Sequence, residues 1–397
     1  MTSYHLLHLA HTRLPTALLD LKHVSPASIF RFILSDSLLS TTGICKNTNS
    51  YTEEKRDATG IKGRGWSSLR VRNLKIGLRI VIYMRIFSAL ALEDYWKYDG
   101  LHPTHPITTY MSLNRFPQIK RYLHIAAFDI PKTTEPGKRL WHRKVDPMLN
   151  QLPSASHALP LPSFNISIDE AMIQYAGHFQ DSYKMSSKPI ELGFKFYCQA
   201  YHGYIWDFHP TSNQAGPDPV PVIQNITATG EIVMFIASKL PKRRTWQIYL
   251  ENCYTSLPLL AVLKERLGIE ACGTASPNSE NFPKELAISK TSVGQLPYHY
   301  RSSMSIRDVG VLLWFDNRPV TIMTTMYCLI GEKSEISRKL KRPGRKSTNA
   351  NRELAKCEEN HKKEHQILVA INHYNLHMGG VDIAHEYWKP HSRSRTR

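Results

Sequence analysis

Three carboxylates stand where a folded chain could turn them into a metal site: Asp169, Glu251 and Asp382. Asp169 closes an alternating run, Phe164-Asn-Ile-Ser-Ile-Asp169, and Glu251 closes a second apolar run, Trp246-Gln-Ile-Tyr-Leu250. A carboxylate at a strand end is held rigidly by the sheet, as a coordination site requires. Asp382 follows Gly379-Gly380 in a C-terminal segment of helical character. Hard oxygen donors suit Mg²⁺ or Mn²⁺. A pair of such ions about 3.5–4 Å apart activates water or a 3′-hydroxyl and stabilises the leaving oxygen of a phosphodiester. Spacing alone is weak support, because any chain carries acids near strand ends. Other patterns carry less. His361-Lys-Lys-Glu-His365 matches H-x-x-E-H but lies in a Lys- and Glu-rich stretch without an apolar face. His373 and His377 have helical ligand spacing but no evident third ligand. The six cysteines contain no CxxC pair, so they form neither a disulfide framework nor a zinc-finger spacing, and a reduced compartment is expected.

The elements that must position the acids follow from periodicity. Helical spacing runs through Leu69, Leu74, Leu78, Ile82 and Ile86, and again over Met111–Leu123. Residues 46–62 are a polar stretch, and the Pro-rich segment Leu152–Pro162 reads as a domain boundary. Three short strands are predicted at 164–169, 193–198 and 204–208. A helix at 232–240, a strand at 246–250 and a helix at 257–267 stopped by Gly268 come next. Strands at 309–315 and 320–327 follow, and then a helical segment at 366–387. This order suggests an α/β fold with a mixed sheet.

The chain has 397 residues and a formal charge of +18 from 51 Lys+Arg and 33 Asp+Glu. With 42% hydrophobic residues it can bury a real core, which excludes a wholly disordered chain. No stretch approaches the roughly 20 apolar residues of a membrane span, so no membrane partner is expected. The basic N-terminal start and continuous apolar run of a signal peptide are missing. The positive charge points to a polyanion, and DNA is the commonest such partner. Residues 338–363 read as a basic, disordered insertion. Its Arg338, Lys339, Lys341, Arg342, Arg345 and Lys346 are candidates for phosphate contact or nuclear targeting.

Blocks in order along the chain carry a resemblance. Ser167-Ile-Asp-Glu-Ala-Met172, Lys188-Pro-Ile-Glu-Leu-Gly-Phe-Lys195 and Gly203-Tyr-Ile resemble the core of piggyBac-type transposases. Glu251-Asn-Cys-Tyr-Thr-Ser256 resembles that family's D-N-x-[FY]-T-S block. Ala271-Cys-Gly-Thr-Ala-Ser-Pro-Asn278, Trp314-Phe-Asp-Asn-Arg-Pro-Val320 and Tyr374-Asn-Leu-His-Met-Gly-Gly-Val-Asp382 match further blocks. The similarity spans roughly residues 26–390. It implies a ribonuclease-H-like catalytic domain over about 160–390, with a mixed sheet and flanking helices. A mainly helical DNA-binding or dimerisation region at 26–152 would precede it, after an N-terminal tail at 1–25. It also implies an acidic triad of Asp169, Glu251 and Asp382 holding Mg²⁺ or Mn²⁺ for DNA strand cleavage and transfer. The expected location is the nucleus and the expected partner is DNA, with a homodimer left open.

The departures open a second reading. The family's second Asp is Glu251, and the family's additional Asp after the third acid is His385. Two basic positions of the A-x-G-T block are Ser276 and Ser279, and the family's Cys-rich C-terminal module is not discernible. The chain thus reads as a truncated, diverged relative. It is either a metal-dependent nuclease or a catalytically dead DNA-binding relic or domesticated protein.

Overall fold

Helices come first and long strands later. The computed structural model describes residues 26–40, 43–59, 65–129, 133–135, 138–139, 141–159, 163–175, 177–186, 188, 190–213, 216–217, 219–242, 245–278, 282–286, 301–315, 319–341 and 362–388. The first part contains helices α1 (Pro26–Ile33), α2 (Asp36–Leu39), α3 (Ile44–Thr59), α4 (Val71–Ile86), α5 (Arg115–Tyr122) and α6 (Asp146–His157). Between the last two lie the short strands β1 (Thr133–Glu135) and β2 (Lys138–Arg139). The helix expected there is α4, but its buried face is Leu74, Gly77, Ile80 and Met84 rather than the expected stripe: Leu78 is half-buried, and Ile82 and Ile86 are exposed. That face joins Leu34, Leu39, Tyr95, Phe116 and Ile119 in a core of its own.

Helix α3 falls on a stretch that hydropathy reads as polar. Its inner face is Ile44, Cys45, Thr48 and Thr52, all buried. The hydroxyls are satisfied locally: Thr52 Oγ1 donates to Thr48 O at 2.6 Å, and Thr48 Oγ1 accepts from His124 N at 3.1 Å. Periodicity of apolar residues cannot see a face built from threonine. The expected boundary at Leu152–Pro162 is helical up to His157, with Pro153 inside α6.

The second part is built on strands β3 (Asn165–Gln174), β4 (Tyr183–Lys184), β5 (Leu192–Tyr201), β6 (Tyr204–Ser212) and β7 (Gly216–Pro217). Helix α7 (Ala228–Ser238), strand β8 (Gln247–Leu250), helix α8 (Leu257–Leu267) and strand β9 (Glu270–Thr274) follow. Then come β10 (Arg301–Ile306), β11 (Val309–Phe315), β12 (Pro319–Thr324), β13 (Glu335–Lys341) and β14 (Lys362–Leu368). The described residues end in helices α9 (Val369–His377) and α10 (Gly380–Trp388). One sheet runs in the order β10-β11-β12-β9-β8-β3-β5-β6-β7, with β4 on β5. Its centre, β3-β8-β9, is parallel, and antiparallel strands flank it on both sides.

Helix α8 begins at the Ser256 cap, whose side chain accepts from Leu259 N, and stops at Gly268 in the left-handed region, φ 64°, as the sequence predicts. Helices α7 and α8 cover one face of the sheet. There Ile232, Val233, Ile236, Leu259, Leu260 and Leu263 pack on Ile166, Ile168, Ile248 and Leu250. Helix α10 lies on the other face, with Val381 against Ala171, Cys198 and Ala200. Strand alternation therefore places Asp169, which shares its face with Ala171, on the α10 side.

Three expectations are corrected. Strands β9 and β10 were not foreseen, and β9 lies in the middle of the sheet. The ends of the basic insertion are ordered: β13 and β14 pair antiparallel from Glu335↔Leu368 to Lys341↔Lys362. The helical segment expected at 366–387 begins as strand and then splits into α9 and α10 at Met378-Gly379. Among the described residues, no helix is long and apolar enough to cross a membrane.

Candidate active site

Two of the three acids meet through strand register. Parallel pairing of β3 and β8 ends at Ile168↔Leu250, so the next residues on each strand, Asp169 and Glu251, stand side by side. Asp169 does not close its strand as the sequence suggested. Residues up to Gln174 keep antiparallel partners on β5, down to Gly193, so Asp169 sits mid-strand where β8 leaves off. The residue is 1% exposed, whereas Glu251 is half-buried at the strand mouth.

The third acid arrives on α10. Asp382 lies in the first turn of that helix and is exposed. The helix can come this close because residue 380 has no side chain. A Cβ there would meet Ser167 Oγ at 2.4 Å and Ala200 O at 3.1 Å. Gly203, in the β5–β6 turn, donates its N–H to Gly380 O at 3.0 Å and pins the helix start to the sheet. The negative charge of Asp382 acts on Glu251, and that of Glu251 on Asp169, so the three acids share one field.

Two lysines enter that field, and spacing alone did not single them out. Lys188 Nζ lies 3.1 Å from both oxygens of Asp169 and 3.8 Å from Glu170 Oε2. Lys195 Nζ lies 3.0 Å from Glu170 Oε1, a diagonal cross-strand pair between β5 and β3. Both stand inside motif blocks, at the first and last residues of Lys188–Lys195, and this was the available signal. Glu170 also belongs to the site. Its backbone N–H donates to Asp169 Oδ1 at 2.6 Å. Ligand atoms of Glu170, Glu251 and Cys253 all lie within 4.8 Å of one another.

The electrostatics are those of a crowded acid cluster. Burial, the hydrogen bond with Glu170 and the charge of Glu251 push Asp169 well above the usual carboxylate range, against the pull of Lys188. Burial also raises Glu251, with Glu170 and Asp382 adding to it. Glu170 goes the other way: burial would raise it, but its bond to Asp169 and the charge of Lys195 hold it low. Burial pulls Lys188 down, but Asp169, Glu251 and Glu170 outweigh it and keep the ammonium charged. The Cys253 thiol is pushed up to about 12, by desolvation of its sulfur and then by the charges of Glu170 and Glu251. The carboxylates around it make the donor set mainly one of hard oxygens. Such a set fits a hard divalent cation.

His385 turns away from this cluster. It is 3% exposed, and its Nε2 lies 3.1 Å from Met172 O and 3.3 Å from Met172 N. Its ring meets Trp388 edge-on at 4.8 Å. It packs α10 on β3. Glu386, one turn beyond Asp382, is exposed. The H-x-x-E-H pattern has no helix beneath it, because 362–368 is strand.

The basic candidates divide. Arg338 and Lys339 are exposed on β13, across from His365 and Glu364 of β14. Lys341 ends the strand, opposite Lys362. Arg342, Arg345 and Lys346 lie outside the described residues, as does Ser279.

Comparison with known proteins accords with this geometry. A family model described as Transposase IS4 matches residues 25–397. The human PiggyBac transposable element-derived protein 2 is 26% identical over 315 residues, covering 76% of this chain and 49% of that protein. The human PiggyBac transposable element-derived protein 3 is 25% identical over 373 residues, covering 91% and 55%. The chain thus spans about half the length of these curated relatives. A cryo-EM structure of a piggyBac transposase synaptic complex with hairpin DNA superposes with a TM-score of 0.72 at 16% identity, covering 95% of this chain and 70% of that one. The fold shared with it is the ribonuclease-H-like mixed sheet with flanking helices, after a mainly helical region.

Proposed function

The chain belongs to the piggyBac transposase family, and on that premise we propose that it is a DNA-binding protein able to cut DNA strands with a divalent metal. The observation that carries this reading is the meeting of Asp169 and Glu251 on adjacent parallel strands, with Asp382 in the first turn of the helix packed on the same strand. The family implies divalent-metal dependence, and the oxygen donors here favour Mg²⁺ or Mn²⁺ over softer ions. Asp169 and Glu251 would hold the ion, with Asp382 completing the set from α10. When bound, it would supply Lewis acidity and an activated water for phosphodiester attack. The rest is the work of this chain. Strands β3 and β8 fix two carboxylates in register. Lys195 neutralises Glu170, so that this acid adds less repulsion to an approaching phosphate.

DNA would be gripped through its backbone. The overall charge of +18 favours duplex binding that weakens steeply with salt. The antiparallel ribbon β13–β14 carries Arg338, Lys339, Lys341, Lys362 and Lys363, and a two-stranded ribbon is a shape that enters a groove. The nucleus is the compartment in which such a protein would meet its substrate.

A second reading, a DNA-binding relic without cleavage, draws on the ammonium already seated on Asp169 and on Glu251, one methylene longer than the family's Asp. The two readings part on a labelled duplex with Mg²⁺ or Mn²⁺. Nicking that disappears in Asp169→Asn supports the nuclease. Salt-sensitive binding with no nicking in either metal supports the relic.

A further inference from the structure

The Lys188 ammonium sits on the carboxylate that would hold a metal ion. It bridges both oxygens of Asp169 at 3.1 Å, stands 3.8 Å from Glu170, and feels Glu251 as well. Its side chain is 13% exposed and that of Asp169 is 2%, so neither group is well solvated and water cannot replace the pair cheaply. An ammonium at that point fills the side of Asp169 that faces both oxygens and repels a divalent cation approaching them.

We propose that Lys188 is a built-in competitor of the metal: the divalent ion loads onto Asp169 only when the Lys188 side chain swings out. This rests on the metal-site reading above and adds a condition to it. Lys188 lies outside the strands, its backbone N–H donating to Met185 O at 3.2 Å, so its side chain can turn away without breaking a strand ladder. The Asp169 carboxylate cannot leave in the same way, being fixed in the middle of β3. Lys195 is not a second competitor. Its ammonium points at Glu170 and lies 4.8 Å from the Tyr197 ring centroid, off the Asp169 oxygens.

The consequence is quantitative. If the ion pair is closed about 90% of the time, the apparent metal affinity is weakened about tenfold relative to the open site. The test is Mn²⁺ binding to the full chain, followed through the free-ion electron paramagnetic resonance signal, for wild type, Lys188→Gln, Lys188→Arg and Asp169→Asn. The expected result is an affinity about tenfold tighter in Lys188→Gln, unchanged in Lys188→Arg, and lost in Asp169→Asn. Equal binding by wild type and Lys188→Gln, with loss in Asp169→Asn, would leave the metal site standing and overturn the competition. No Asp169-dependent binding in any variant would overturn the metal-site reading and the inference with it. Acetylation of wild-type Lys188 by a water-soluble ester, read by peptide mass spectrometry, needs no variant to fold. Saturating Mn²⁺ should raise its labelling several-fold, and an unchanged rate would contradict the proposal.

Discussion

Two buried aspartates in the same sheet, Asp169 on β3 and Asp207 on β6, are answered in opposite ways. Asp207 is fully buried and meets Lys239 Nζ at 2.9 Å and His157 Nε2 at 2.7 Å. Phe208 N also donates to it at 2.6 Å, and His157 stacks on Trp206 with centroids 4.0 Å apart. One acid there faces an ammonium and an imidazole, brought by α6 and the end of α7. Around Asp169 the balance reverses. Asp169, Glu170, Glu251 and Asp382 share a field with Lys188 and Lys195 alone among the described residues. A buried acid matched by its own basic partners ties elements together. Under-answered acids raise each other's protonation and wait for a cation. The contrast separates a structural ion pair from a site.

Crossed substitutions break the comparison most strongly. Asp169→Asn should cut Mn²⁺-dependent nicking at least about 100-fold, more than loss of an outer partner costs a metal site. Asp207→Asn should leave the specific rate of the folded protein within a few-fold. It should cost about 3 kcal/mol in urea unfolding, because Lys239 and His157 lose a desolvated partner. A similar loss of rate in both variants would erase the distinction.

Next in size is Gly380→Ala. The added methyl must displace Ser167 Oγ, 2.4 Å from the ideal Cβ, or lift α10 off the sheet. A destabilisation of about 1–3 kcal/mol is expected in the same unfolding measurement. The nicking rate should fall with it, since Asp382 rides on that helix. Glu251→Asp sharpens the comparison from the other side. Shortening the acid brings it back to the family's length, and a gain of about tenfold in Mn²⁺-dependent nicking is expected, since misplacements of about 1 Å are worth up to about 10² in rate. A loss of rate would mean that the backbone has already moved to suit glutamate.

The smallest effect is in pH. His377, on α9, is held neutral, its pKa lowered to about 4 by burial and then by the charges of His202 and His373. Its folded pKa lies below the unfolded value near 6.5. The stability it contributes is therefore present above about pH 6.5 and is lost as the pH falls toward 4. The melting temperature should drop by a few degrees over that interval, and His377→Gln should flatten that part of the slope.

Much of this was legible in the sequence. The strand at Trp246–Leu250 and the Gly268 stop could be read from alternation and cap chemistry, and motif order marked the segments that carry Asp169 and Glu251. What escaped was set by tertiary contacts. Helix α3 hides its inner face in Thr48 and Thr52, so no hydrophobic period marks it. Strand β9 reads as a motif, because Cys272-Gly273 next to Thr274 does not look apolar, yet it is sandwiched between β8 and β12. The part played by His385 could not be inferred from its neighbours along the chain. Its partner is the backbone of Met172, which only the packing of α10 brings within 3.1 Å. Lys188 shows the same limit: its motif block marked it as notable, but only the fold reveals that it sits on Asp169.

The most direct test is where a metal binds. Crystals of the full chain carrying Lys188→Gln, soaked in MnCl₂ and measured at the manganese edge, should show an anomalous peak within about 2.5 Å of Asp169 and Glu251 oxygens, and none at Asp207. A peak at Asp207, or no peak beside Asp169 while manganese binds elsewhere, would contradict the assignment of the β3–β8 junction as the metal site.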